Sequence, residues 1–381
     1  MNEAIEHRRL RAGIVGGGRG AFIGTVHRIA SELDAEALVV AGALSSDPAV
    51  ADESAKDWRL ARSYHSYEDM ARAEAAREDG IDFVIIATPN HLHVPVALAF
   101  LRAGIHVICD KPLAATMDEA SKLVTELKVG DRLFALTHTY AGYPAIQEAR
   151  ARVRAGELGT LRKVHVEYLQ DWLISPVEQS GQKQASWRVD PAKAGIGGAL
   201  GDIGTHAHHL VEYVTGSRVE SVCCDAAAFV AGRKLDDDAN LLLRLRGRIK
   251  GTLVCSQIAA GEENELRLRV YGTKAGLDWR QQEPNTLILK AASGTAQTLR
   301  TGRSFQSPEA AHMTRVPAGH PEGYLEAFAS IYRAFISDIR RRAQGQAIQH
   351  NYPGIQEGVR GLAFVAAAVA SSARGSTWVE V

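Results

Sequence analysis

Ala12-Gly13-Ile14-Val15-Gly16-Gly17-Gly18-Arg19-Gly20-Ala21-Phe22-Ile23 is the stretch on which the fold of this 381-residue chain turns. An apolar run, residues 12–15, passes directly into a glycine string and then into a segment of helical composition, residues 22–33. The string fits G-x-G-x-x-G/A, with Gly16, Gly18 and Ala21 at the three small positions. Gly16 makes a tight turn, Gly18 admits close approach of a pyrophosphate, and Ala21 lets helix pack on strand. The N–H groups over Arg19, Gly20, Ala21, Phe22 and Ile23 then open a helix, where the backbone favours phosphate. A dinucleotide site is the reading these positions support.

Working outward, further apolar runs at 38–44, 83–87, 106–109 and 133–137 are each separated by a stretch of helical length. Strands alternating with helices make βαβ units and a parallel sheet covered on both faces, which is a doubly wound Rossmann domain. After about residue 140 the pattern changes. A helix at 144–155 precedes a strand at 163–173, a second helix runs over 198–215, and strands follow at 220–230, 240–245, 251–258, 266–271 and 277–280. Helices near 324–342 and 354–371 close the chain. Strands in series with short turns predict a mainly antiparallel sheet. The expected organisation is an α/β domain over 1–139 and an α+β domain over 140–381, in line with a length beyond the roughly 100–200 residues of one domain.

Lys and Arg number 44, as do Asp and Glu, so the formal charge is zero. Binding to a phosphate backbone calls for an excess of cations, and no nucleic-acid partner is expected. Cys109, Cys223, Cys224 and Cys255 allow no disulfide framework or paired C-x-x-C zinc site. The first ten residues carry charge without an apolar segment, and the apolar run near 361–370 is shorter than the roughly 20 residues that cross a bilayer. A cytoplasmic protein with no membrane partner is the expectation.

Parallel sheets bind ligands beyond the carboxyl ends of their strands. After the second strand come Ser45, Ser46 and Asp47, at the place where an acidic residue usually meets the ribose of NAD. Ser45 occupies that place and no arginine stands ready for a 2′-phosphate, so NAD is the expected cofactor with NADP left open. The third strand runs into Thr88-Pro89-Asn90-His91-Leu92-His93, whose Thr88, Asn90 and His93 can hydrogen-bond a ribose and a nicotinamide. The fourth runs into Asp110-Lys111-Pro112, with Lys111 held at the strand end.

The second constellation is Gly197-Gly198-Ala199-Leu200-Gly201-Asp202-Ile203-Gly204-Thr205-His206-Ala207-His208-His209. On a helix Asp202 and His206 lie one turn apart on a stripe that His209 and Tyr213 extend, apart from the apolar stripe of Leu200, Ile203, Ala207, Leu210, Val211 and Val214. A metal site from Asp202, His206 and His208 or His209 is the competing reading; His208 points off the stripe, and no metal is expected. The other is a capped helix with surface histidines.

Taken in order, the glycine fingerprint, Thr88 to His93, Asp110-Lys111-Pro112 and Gly201-Asp202-Ile203-Gly204-Thr205-His206 resemble the Gfo/Idh/MocA family of oxidoreductases. Tyr271 to Trp279 and His320 to Phe328 extend the likeness. The resemblance implies a Rossmann domain joined to one with a large open sheet that commonly mediates homo-oligomerisation, here to a dimer or tetramer. It also implies Lys111, Asp202 and His206 as the catalytic set. Asp110 departs from the usual Glu, and Ser45 from the usual acid.

The chemistry that fits is oxidation of a secondary alcohol: His206 as base near neutral pH, Asp202 orienting it or binding an adjacent hydroxyl, and Lys111 stabilising the developing alkoxide. Gln170 and Trp172 share a face with Tyr168 by the period of two. With Tyr140, Trp187 and Arg188 they are the expected lining for a carbohydrate ring, and Trp187 and Arg188 are also candidates for the cofactor. The expected substrate is a neutral sugar, anhydrosugar such as levoglucosan, or glycoside oxidised at C3. A cyclitol such as inositol is the alternative, and redox-neutral glycoside hydrolysis around a held NAD is the reading from another class.

Overall fold

Strand and helix alternate through the first third of the chain in the order β1 (Leu10–Gly16), α1 (Phe22–Glu32), β2 (Ala37–Ala43), α2 (Pro48–Trp58), β3 (Arg62–Ser63), α3 (Tyr67–Ala75), β4 (Phe83–Ala87), α4 (His93–Arg102), β5 (His106–Cys109), α5 (Met117–Val129) and β6 (Phe134–Leu136). The computed structural model describes residues 8–304 and 306–381, with the backbone alone at 183 and 184. The six strands form one parallel sheet in the order β3-β2-β1-β4-β5-β6. The order reverses between β1 and β4, and a doubly wound sheet opens its crevice at such a point. Every residue of β4 and of β5 is buried, as a strand covered on both faces requires.

The remaining elements are α6 (Pro144–Arg154), β7 (Leu161–Leu169), α7 (Lys183–Arg188), α8 (Pro191–Ala194), α9 (Thr205–Thr215), β8 (Val219–Ala227), β9 (Asp238–Leu245), β10 (Ile249–Ser256), β11 (Glu265–Gly272), β12 (Ala275–Arg280), β13 (Thr286–Ala291), β14 (Ala296–Arg300), α10 (Pro308–Met313), α11 (Tyr324–Ala343), α12 (Ile355–Ala373) and β15 (Val379–Glu380). Nine strands form the second sheet, β14-β13-β12-β11-β7-β10-β9-β8-β15, antiparallel except at β7 and β10. Val164, Val166 and Tyr168 of β7 join Leu253, Leu266, Leu268, Leu277 and Trp279 in a core that also takes the apolar stripe of α9. The alternate positions form cross-strand ion pairs instead, Arg267 and Lys290 with Asp278, and Arg269 with Glu167. The predicted strand at 163–173 ends earlier, at Leu169, where the chain turns after Asp171.

The chain divides at Thr139, but the second domain is not continuous to the C-terminus. Phe328–Val359 belongs to the first unit, and the second comprises Tyr140–Ala327 with Arg360–Val381. Side-chain and backbone contacts explain the return: Arg333 pairs with Asp34, Arg340 with Glu36, and the Leu136 amide at the edge strand β6 donates to the Pro353 carbonyl at 2.8 Å. Tyr332 and Phe335 pack against Phe83 of β4.

The crossing of α1 over β1 is set by two residues without side chains. A Cβ at Gly24 would lie 2.2 Å from the Gly17 carbonyl oxygen and 2.4 Å from its Cα. The small residue that packs helix on strand is therefore Gly24, and Ala21, to which the sequence pattern assigned that part, is the half-exposed N-cap of α1. Replacing Gly24 by Ala is expected to lower unfolding stability by about 1–3 kcal/mol, the range for overpacking a closed contact, measured as a fall in the urea midpoint at constant slope.

Candidate functional site

The first unit gathers its candidate residues where β1, β2, β4, β5 and β6 end. Gly16, Gly17 and Gly20 have φ of 79°, 74° and 76°, a conformation that favours glycine. Gly18 donates to the Leu44 carbonyl at 3.2 Å, and a Cβ on it would meet that oxygen and Ser54 Oγ. Gly20, in contrast, faces open space. Arg19 turns its guanidinium to Glu53 and Asp57 of α2. Phe22 is exposed and Ile23 half-buried on the first turn of α1. Beyond β2, Ser45 Oγ accepts from the Asp47 amide, and Asp47 caps α2 through the Ala49 and Val50 amides. Ser46 is exposed.

Thr88 and Pro89 follow β4, with the Thr88 methyl over Gly16. Asn90 opens a short 3₁₀ turn, and Leu92 holds the cap position of α4. His93 corrects the sequence reading. Its ring nitrogens lie 2.6 Å from the Pro112 carbonyl and 3.0 Å from the Thr88 carbonyl, so this buried ring ties the loop after β4 to the loop after β5. A neutral ring has one N–H and donates to one of these carbonyls at a time, and both nitrogens are turned to backbone oxygens. Burial pushes its pKa down, against the opposing pull of Asp110. Asp110 Oδ1 accepts the Lys111 amide at 2.8 Å and Thr137 Oγ1 at 3.0 Å, fixing the backbone on which Lys111 stands.

The second unit builds its own constellation. Asp202 lies in a π-helical turn, Leu200–Gly204, where the Thr205 amide reaches back five residues to Leu200 before α9 continues. Such turns recur at functional sites. The idealised α-helical stripe is therefore displaced between Asp202 and His206. His206 is 8% exposed and sits edge-on to Tyr140, ring centroids 4.9 Å apart. His208 and His209 are buried, one stacked on Phe364 and the other on Tyr213, so they are not surface histidines.

A chain of hydrogen bonds leads to Asp202. Gln257 Nε2 donates to Asp202 Oδ2 at 2.9 Å, and Arg188 Nε donates to the same oxygen at 3.2 Å. Gln170 Oε1 accepts from Trp172 Nε1 at 3.1 Å and lies 3.4 Å from Gln257 Nε2, while Gln170 Nε2 donates to Asn264 Oδ1 at 2.6 Å. Tyr168 donates to the same Asn264 oxygen, Asn264 Nδ2 donates to Tyr140, and the two tyrosine hydroxyls bond to each other. A carboxylate only accepts and an indole N–H only donates, so both ends of the network fix the direction of each amide between them. Tyr140 is thus a buried support for His206, not the cleft-lining residue expected. Arg188 lies 4.2 Å from the Trp187 ring and 5.9 Å from that of Trp172.

Both units match known families. Residues 10–138 match the model described as oxidoreductase family, NAD-binding Rossmann fold, and residues 146–278 match the GFO/IDH/MocA C-terminal domain. The oxidoreductase YfiI of Bacillus subtilis is 33% identical over 99% of this chain and 98% of its own length. This chain belongs to the Gfo/Idh/MocA family of oxidoreductases. The levoglucosan dehydrogenase of Pseudarthrobacter phenanthrenivorans is 26% identical over 98% of each chain. The crystal structure of an inositol dehydrogenase homolog from Azotobacter vinelandii, complexed with NADH and myo-inositol, aligns with a TM-score of 0.90 and 34% identity over 99% of both chains.

The first unit fits the NAD of its Gfo/Idh/MocA family. Ala21 caps α1 with no side-chain acceptor, the first turn carries no acidic residue, and Gly20 leaves the approach open. Thr88 Oγ1 is buried with no partner among the described residues. Open amides and an unanswered hydroxyl beside Gly16 suit a polar, anionic ligand.

Sequence reasoning missed three residues. Gln257, a polar residue at the end of an apolar strand, gave the one usable signal. Asn264 sits in a charged loop and gave none. Asp236 stands in an Asp triplet, yet it is half-buried, accepts the Gly198 and Leu200 amides at 2.7 Å each, and anchors the start of the site helix. Burial pushes its carboxyl up while those amides hold it down. Replacing Gln257 by Leu removes a donor from Asp202 and breaks the link from Asp202 to Gln170. Steady-state kinetics are expected to show kcat reduced about 10-fold, the equivalent of the ~1–3 kcal/mol for an unsatisfied buried group, with NAD affinity unchanged.

Proposed function

We propose that this chain is an NAD-dependent dehydrogenase that oxidises a secondary hydroxyl of a neutral polyhydroxylated ring, at C3 of a sugar, anhydrosugar or glycoside. The observation that carries this reading is the Asp202 carboxylate, oriented by Gln257 and Arg188 on the helix that presents His206, with the Trp172 and Trp187 indoles beside the same guanidinium. Aromatic faces take the C–H side of a ring while carboxylate and imidazole take its hydroxyls. The Arg188 charge already answers Asp202, which suits an uncharged substrate better than a phosphorylated one.

When bound, NAD supplies the hydride acceptor. His206 accepts the hydroxyl proton as the carbon–hydrogen bond breaks. Asp202 orients the imidazole or holds the neighbouring hydroxyl. Lys111 is assigned to the reacting oxygen, where an ammonium stabilises negative charge as it develops. A cyclitol is the second reading. It is favoured by the higher identity to the inositol dehydrogenase homolog, 34%, than to levoglucosan dehydrogenase, 26%. The ion-paired second face of the nine-stranded sheet is the surface proposed for a homodimer or homotetramer.

Spectrophotometric assay of cyclitols, free sugars, anhydrosugars and glycosides, with NAD and NADP in parallel, is expected to show NADH accumulating with a neutral ring. Release of an aglycone without NADH would instead indicate redox-neutral hydrolysis. Lys111→Ala is expected to cut turnover at least ~100-fold, the scale of one positioned electrostatic group, and to leave dinucleotide binding largely intact. Near-wild-type turnover would remove Lys111 from the reaction.

A further inference from the structure

His27, in the middle of α1, has a fully buried side chain, and its role is not explained by packing alone. Its Nδ1 lies 2.7 Å from the Tyr332 hydroxyl, and its ring stands edge-on to Phe328 with centroids 5.1 Å apart. The opposite nitrogen, Nε2, has no hydrogen-bond partner among the described residues and faces Asp110 Oδ1 across 3.9 Å. That oxygen is the one accepting the Lys111 amide and the Thr137 hydroxyl.

The placement of protons follows from what each group can do. Burial pushes the Tyr332 phenol far above its usual pKa, so it keeps its proton. The Tyr332 hydroxyl can donate to Nδ1 or accept from it, and the carboxylate oxygen facing Nε2 favours the arrangement in which Nδ1 accepts. Burial also pushes the His27 pKa down, which keeps the ring neutral with a single proton. That proton is then on Nε2, pointing at the Asp110 carboxylate; a lone pair there would face the negative oxygen.

We infer that His27 is a positioning residue for Lys111: its Nε2–H, oriented by Tyr332, holds the Asp110 carboxylate in the setting that fixes the Lys111 backbone. The inference rests on the role of Lys111 in turnover given above, and the experiment separates the two.

Glutamine places an amide where histidine has Nε2, and asparagine places one where it has Nδ1. His27→Gln is therefore expected to keep kcat within about 3-fold of wild type, while His27→Asn and His27→Leu lower it about 10-fold or more, the scale of a displaced catalytic group, with the Kd for NAD within about 2-fold. In the protein without NAD, nitrogen-15 NMR of the His27 ring should show the Nε2–H tautomer, and Tyr332→Phe should mix the two tautomers and lower kcat without changing NAD affinity. Equal loss in the Gln and Asn variants, or an Nδ1–H ring in the wild type, overturns the inference. If the Leu variant does not fold, the Gln and Asn pair and the wild-type spectrum still decide. Wild-type turnover in Lys111→Ala would overturn the parent reading, whereas an inactive Lys111→Ala beside a fully active His27→Asn overturns this one alone.

Discussion

Two stretches of bare backbone touch at Gly17 and Gly24, and the geometry of the first unit follows from that contact. With no Cβ on either side, α1 lies close enough to β1 for its first amides to open beside the glycine turn. A helix held farther off would still complete a βαβ crossover, but its N-terminus would no longer lie at the end of the strand. The sheet order then sets the rest: β4 runs beside β1 and β5 beside β4, which brings Thr88 and Asp110 to the same edge.

The second unit is organised by polarity instead of close packing. Its network carries two residues of fixed character, an anion at Asp202 and an indole donor at Trp172, and the amides between them have one arrangement that satisfies both. A site of this kind is preorganised before any substrate arrives, because the orientation of each group is enforced by the next. His206 receives its support differently, from a T-shaped contact with the Tyr140 ring, itself locked to Tyr168 and Asn264.

Much of the fold was legible because its signals are local. Apolar runs of strand length, the glycine string and the spacing of Asp202 and His206 depend on neighbouring residues, and the main elements lie where those patterns place them. What was illegible depends on distant partners. Ala21 and Gly24 are both small, and sequence alone does not say which one meets Gly17. His93 looks like a ligand until Pro112 and Thr88 are seen to enclose it. Asp236, Asp237 and Asp238 read as a charged turn, although the first two accept backbone amides and the second is buried. The π-helical turn at Leu200–Gly204 leaves no periodic trace, since one extra residue per turn shifts a stripe without erasing it.

The return of Phe328–Val359 to the first unit has a consequence for biosynthesis. The ribosome releases β1 to β6 long before it makes the segment that covers them, and until then Phe83 lacks Tyr332 and Phe335, and the β6 edge lacks the Pro353 carbonyl. The N-terminal sheet must wait with an uncovered apolar flank and an open edge while some two hundred residues of the second unit emerge. Vectorial synthesis and spatial assembly therefore run in different orders in this chain. Its nascent first unit is the stage most exposed to edge pairing with other chains.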